Sequence, residues 1–206
     1  MSSISTKIHN RIKGKGRGWV FGPADFLDLA TRDTVDQTLS RLVKQDKIRR
    51  LGRGVYDFPK VSKMFGIVPP DSKDIARVLV GGDAVLPSGA MAANILHLST
   101  QVPAKPVFLT KNKSLKKTID GRQITLKKSR IPILDNVPCV INLLLQALYY
   151  IGKNNIDDKI ISQCADSLSD SAMMSLKKSM KSLPSWLCDI IHKIDDLKYG
   201  KVSTIS

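Results

Sequence analysis

Ile4, Ile8 and Ile12 recur at helical spacing near the start of the chain. Ser2, Ser3 or Ser5 can cap that helix, and the glycines of Gly14-Lys15-Gly16-Arg17-Gly18 can end it. Trp19-Val20-Phe21 predicts a brief strand, and Gly22-Pro23 a second helix through Asp25, Phe26 and Leu27 to about Ala30. Beyond a turn at Thr31 to Thr34, Val35, Leu39, Leu42 and Val43 form an apolar stripe that predicts a third helix from about Asp33 to Gln45. Two short runs then flank a glycine turn: Lys47-Ile48-Arg49-Arg50-Leu51 and Val55-Tyr56-Asp57-Phe58, with Gly52-Arg53-Gly54 between them and Pro59 closing the unit. This is a two-stranded hairpin with an arginine at its tip.

The rest of the chain alternates in kind. Lys60 to Pro70, with Pro69-Pro70, suggests a linker, and Asp71 can cap a helix running to Val80. Small residues dominate the helix expected at Met91-Ala92-Ala93-Asn94-Ile95-Leu96, so it should approach its neighbour closely. Strands are predicted at Pro106 to Thr110, Leu115 to Ile119 and Arg122 to Lys128, the last two joined by the hairpin signal Asp120-Gly121. Four helices should follow, near Val137 to Ile151, Asn155 to Leu168, Asp170 to Lys181 and Pro184 to Leu197. The expected fold class is α+β: an N-terminal winged helix-turn-helix over residues 1–60, then a mixed domain over 61–206. The latter holds a small antiparallel sheet and a helical bundle at about 137–197.

Charge adds a location to this outline. The 206 residues carry 33 Lys and Arg against 18 acidic groups, all of them Asp, for a net charge of +15. Residues 1–60 hold 13 basic and 6 acidic groups, residues 61–130 hold 12 and 4, and residues 131–206 hold 8 of each. The excess therefore sits in the first 130 residues, which favours a polyanion-binding face over general solubilisation. At 42% hydrophobic and 25% charged, the chain can bury a real core. Its longest apolar run, Val140 to Ile151, is too short to span a bilayer and no signal core opens the chain, so a cytoplasmic location is expected.

The polar face of the third helix and the hairpin are the candidate DNA-binding surface. Gln37, Ser40, Arg41 and Lys44 are residue types that reach base edges or phosphates in a major groove, with Arg32 and Thr34 at the helix start. Gln37 and Arg41 suit bidentate pairing with adenine and guanine. Arg49, Arg50 and Arg53 make the hairpin basic, and Arg53 should meet a phosphate or minor groove. Arg11, Lys13, Lys15 and Arg17 would neutralise further backbone charge.

Catalytic machinery is thin by comparison. His9, His97 and His192 lie far apart in sequence, and Asp157-Asp158 and Asp195-Asp196 are adjacent pairs that diverge on a helix. Asp157-Asp158 reads as helix-start charge. The glycine-rich run at residues 14–18 lacks the Lys-Ser/Thr ending of a P-loop and follows no strand. Cys139, Cys164 and Cys188 form no C-x-x-C pair and are expected as buried reduced thiols. Trp186, leading Leu187, Ile190 and Ile191, is expected in the core. Neither metal nor cofactor is expected, and the chain is expected not to be an enzyme. An interaction module with a merely basic first domain, or an enzyme acting on nucleic acid through converging Asp residues, stays open.

Several stretches together carry a family resemblance. These are Arg17-Gly18-Trp19-Val20-Phe21, Leu39-Ser40-Arg41-Leu42 and Ile48 through Tyr56. In the second domain they are Pro87-Ser88-Gly89-Ala90, Ala92-Ala93-Asn94, Leu98-Ser99-Thr100-Gln101-Val102-Pro103 and Phe108-Leu109-Thr110. The sequence resembles the AbiEi-type antitoxins of bacterial type IV toxin-antitoxin systems, in particular a compact branch of transcriptional regulators. The resemblance implies a winged helix that binds inverted repeats in double-stranded DNA upstream of its own operon. It further implies a second domain that counters a nucleotidyltransferase-like toxin, with or without direct contact.

Overall fold

The computed structural model describes residues 3–103 and 105–200. Along the chain it forms α1 (Ile4–Lys15), β1 (Val20–Phe21), a 3-10 turn (Pro23–Phe26), α2 (Arg32–Lys44), β2 (Arg49–Gly52) and β3 (Val55–Asp57). There follow β4 (Lys60–Ser62), β5 (Gly66–Val68), α3 (Ser72–Leu79), β6 (Leu86–Pro87), α4 (Gly89–Ile95), β7 (Val107–Thr110), β8 (Leu115–Ile119) and β9 (Arg122–Lys128). The helices α5 (Cys139–Ile151), α6 (Asp158–Ser167), α7 (Asp170–Ser179) and α8 (Ser185–Tyr199) complete a mixed α+β fold. Contacts divide the chain into two units: one runs through Val85 and takes in Ser114–Leu126, the other comprises Leu86–Lys113 and the chain from Lys127 onward. The division therefore falls well past residue 60, where the sequence suggested it.

In the first unit, Ser3 caps α1 by accepting from the Thr6 amide at 3.2 Å. Ser2 lies outside the described residues. Gly14 stays helical, and the helix ends at Gly16, whose φ of 85° is open to a residue without Cβ. Ile8 and Ile12 are fully buried against Phe21, Phe26, Val35, Leu39, Leu42, Ile48 and Tyr56. The second helix expected to reach Ala30 is only the single 3-10 turn at Pro23–Phe26. Pro23 and Phe26 are its buried residues, whereas Leu27 is half exposed and Leu29 and Ala30 are only partly buried against the core, so a further helical turn would gain little from packing.

β1 pairs with β3 and β3 with β2, all antiparallel, in the order β1-β3-β2. A register shift between Arg50 and Gly52 makes Leu51 the extra, buried residue of a bulge. The turn is Arg53-Gly54, with Gly54 at φ 72°.

The stretch anticipated as a linker is instead the antiparallel hairpin β4–β5, which pairs Lys60 with Val68 and Ser62 with Gly66. Its apolar residues face solvent, Met64 and Phe65 by more than four-fifths, so no buried stripe marked it in the sequence. Asp71 caps α3 through the Lys73 amide at 2.7 Å, and α3 lies against β1, where a Cβ on Gly22 would come within 2.9 Å of Val78. The β8–β9 hairpin turns on Asp120 (φ 50°) and Gly121 (φ 71°), both left-handed as a tight two-residue turn requires. It meets the β2–β3 hairpin closely: a Cβ on Gly52 would sit 2.8 Å from Ile119 Cδ1.

In the second unit β6 pairs with β7, setting Leu86 opposite Leu109. α4 presses onto α5 through Ala92, Ala93 and Ala147, all fully buried, as its small residues implied. Helices α5 to α8 enclose a core that includes Leu144, Leu145, Leu148, Leu176, Leu187, Ile191 and Ile194. Side-chain caps start two of them: Asp157 accepts from the Ile160 amide at 2.9 Å and Ser169 from the Ala172 amide at 3.2 Å. Trp186 is partly buried beside this core, its ring 6.1 Å from that of Tyr149. Of the cysteines only Cys164 is buried, its thiol pushed up to about 12 by desolvation. Cys188 is half buried, and Cys139, the first residue of α5, is exposed. Among the described residues no helix is long and apolar enough to cross a membrane.

Candidate nucleic-acid interface

α2 has two faces of opposite character. Val35, Thr38, Leu39 and Leu42 are buried, whereas Gln37, Ser40, Arg41 and Lys44 are exposed. Spacings of four and three residues place Gln37, Arg41 and Lys44 on one outward face. The edge of the helix nearest the hairpin carries Arg32, whose guanidinium holds Asp36 at 2.9 Å, an exposed pair that orients both side chains without adding much stability. Thr34 is half buried, and its hydroxyl meets that of Thr31 at 3.0 Å.

The hairpin supplies the other wall. Arg32, Asp36 and Ser40 of α2 line an open recess of about 500 Å³ together with Arg50, Arg53, Gly54 and Tyr56, and Lys117 of β8 also lines it. Four cations and a single carboxylate, already paired, border that space. Such a lining favours negative charge within the recess. Arg53 at the turn is exposed, while Arg50 is placed by a 3.4 Å bond from its Nε to the Gly52 carbonyl.

The remaining candidates divide by what already holds them. Arg49 does not face outward as a free charge. It donates Nε and Nη2 to the carboxylate of Asp57 at 3.1 and 2.7 Å, and Asp57 is almost wholly buried. That bond to Asp57 raises the Arg49 guanidinium above its ordinary value against the opposing effect of burial. Arg49 thus fixes the register of β2 and β3. Arg11 likewise grips Asp28 with two bonds of 2.7 Å and donates to the Asp25 carbonyl at 2.8 Å, and the carboxyl of Asp28 is lowered chiefly by that bond. Arg17 lies 4.9 Å over the Phe58 ring and donates to the Pro59 carbonyl at 3.1 Å. Lys13 and Lys15 are exposed. Partial burial first, then Lys13 and Lys47, lower the His9 imidazole, so three basic groups gather on that side of α1.

The structure therefore brings together Arg32, Ser40, Arg50 and Arg53, and leaves Arg11 and Arg49 with structural work. Sequence reasoning missed Lys117, which lies 64 positions after Arg53. The tight turn at Asp120-Gly121 was legible, but nothing local says that this hairpin meets the first one. Among the described residues no group of three or more His, Cys or Asp side chains could hold a metal ion.

Fold and site together define a two-unit α+β protein whose first unit presents an open, cation-lined recess between a helix and a hairpin. The chain belongs to the family described as a family of unknown function, DUF6088, whose model matches residues 7–176. That match takes in the whole recess and ends in α7. No curated protein matches the chain.

Proposed function

We propose that the first unit is a winged helix that binds double-stranded DNA sequence-specifically, and that the protein is a cytoplasmic, non-enzymatic transcriptional regulator. The observation that carries this reading is the recess shared by α2 and the Arg53 hairpin, next to the exposed row Gln37, Arg41 and Lys44. A helix of this face enters a major groove, and a basic hairpin at its flank reaches the adjoining phosphates. Specificity then rests with Gln37 and Arg41, and affinity with the hairpin cations. The resemblance to AbiEi-type antitoxins extends the proposal: the DNA is an inverted repeat upstream of the protein's own operon, and the protein represses a toxin-antitoxin pair.

A mobility-shift assay on that upstream region, against random duplex at physiological salt, tests the reading. Preference for the upstream region is expected; equal affinity for both duplexes overturns it.

A second reading, a protein-binding module, draws on a specific observation: Val61, Met64, Phe65 and Ile67 leave the β4–β5 hairpin with an exposed apolar tip. Co-purification of the neighbouring gene product with the wild-type protein, lost in Phe65→Ser, would favour it. A nucleotidyltransferase-like toxin is the partner that the resemblance suggests.

A further inference from the structure

The second unit carries a cationic pocket of its own. It is a cavity of about 280 Å³, and its charged lining consists of Lys127, Lys128 and Arg130, with no carboxylate. Lys127 and Arg130 are exposed and, among the described residues, neither has an ion pair. Two like charges held near one cavity without a counter-charge repel each other, which an anionic ligand would relieve.

The frame around them is fixed. Ser129, between Lys128 and Arg130, donates its amide to the Thr110 carbonyl at 2.9 Å and its hydroxyl to the Ile131 carbonyl at 2.7 Å. The Gln146 amide, itself almost fully buried, donates to the same hydroxyl at 3.0 Å. The segment bearing the cations is thus tied to α5, which contributes the aromatic wall. Tyr149 and Tyr150 line the cavity, and Tyr150 is half exposed.

Cations beside an accessible aromatic ring select a particular chemistry. A phosphate alone has no use for the rings, and a paired duplex offers no free base faces to them; an unpaired nucleotide offers both groups at once. The volume lies at the small end of ligand sites, enough for one nucleotide rather than an extended strand. We infer that the second unit binds a single unpaired nucleotide, its phosphate at Lys127 and Arg130 and its base against Tyr150. The ligand is a free mononucleotide or the phosphorylated end of a nucleic-acid strand.

Calorimetric titration of the full chain tests this with ATP, CTP, inorganic triphosphate and a 5′-phosphorylated single-stranded oligonucleotide. Saturable binding of the nucleotides or the oligonucleotide is expected. The paired substitution Lys127→Ala and Arg130→Ala should weaken nucleotide and triphosphate alike by about tenfold or more. Tyr150→Leu, which keeps the contact with α4 but removes the ring face, should weaken the nucleotides by about fivefold or more and leave triphosphate unchanged. Tighter binding of the oligonucleotide, lost when its terminal phosphate is removed, assigns a strand end; the converse assigns the free nucleotide. Absence of saturable binding by all probes up to about 1 mM, or binding indifferent to the paired substitution, overturns the inference. Thermal unfolding of each variant verifies folding. Arg53→Ala should leave the nucleotide titration unchanged, so this inference and the duplex-binding proposal can fail separately.

Discussion

Arginine residues of the β2–β3 hairpin look alike in sequence and differ in what they do. Arg49 makes two bonds to a carboxylate with almost no solvent access, whereas Arg53 stands at the turn in solvent. Removing Arg49 leaves the buried Asp57 charge without its partner, and the guanidinium's partial exposure moderates the loss. Arg49→Ala should therefore cost about 1–3 kcal/mol of stability in urea denaturation. Arg53→Ala should stay within about 0.5 kcal/mol of wild type in the same measurement. Equal stability losses for the two would show that the hairpin does not divide labour in this way. Run length and glycine spacing made the hairpin legible; which arginine is consumed by the fold depends on Asp57 facing it across the strands, a matter of register.

Elements with strong local signals were legible almost to the residue. β8 and β9 emerge at their expected bounds because Asp-Gly between two runs dictates the turn, and α3 because Asp71 caps it. Where the signal was composition alone, it misled. Two prolines made β4–β5 look like a linker, and the short buried patch of Pro23 and Phe26 did not sustain a helix to Ala30. The small-residue helix expected at 91–96 forms at Gly89–Ile95, for a physical reason that can be measured. A Cβ on Gly89 would fall on the Tyr150 Cβ and 2.7 Å from the Gln146 carbonyl oxygen, backbone that cannot swing away. Gly89→Ala should consequently destabilise the protein by about 1–3 kcal/mol, despite alanine's better helix propensity. A thermal midpoint equal to or above wild type would mean that α4 and α5 do not approach so closely.

Across the whole molecule, the charge count located the positive excess in the first 130 residues but could not say which cations act together. Lys117 answers part of that question, because the chain returns at Ser114–Leu126 to the unit that holds Arg53. If both border one phosphate track, each neutralises its own phosphate, and counterion release makes their contributions additive in the salt dependence rather than in any direct contact. Arg53→Ala and Lys117→Ala should each lower affinity for every duplex and each flatten the slope of log K against log salt by about one unit. The double variant should flatten it by about two units, with base preference unchanged, since neither residue belongs to the outward row of α2. A Lys117→Ala slope identical to wild type would remove β8 from the interface, and a shift in base preference with Arg53→Ala would mean that the hairpin, not α2, reads the sequence.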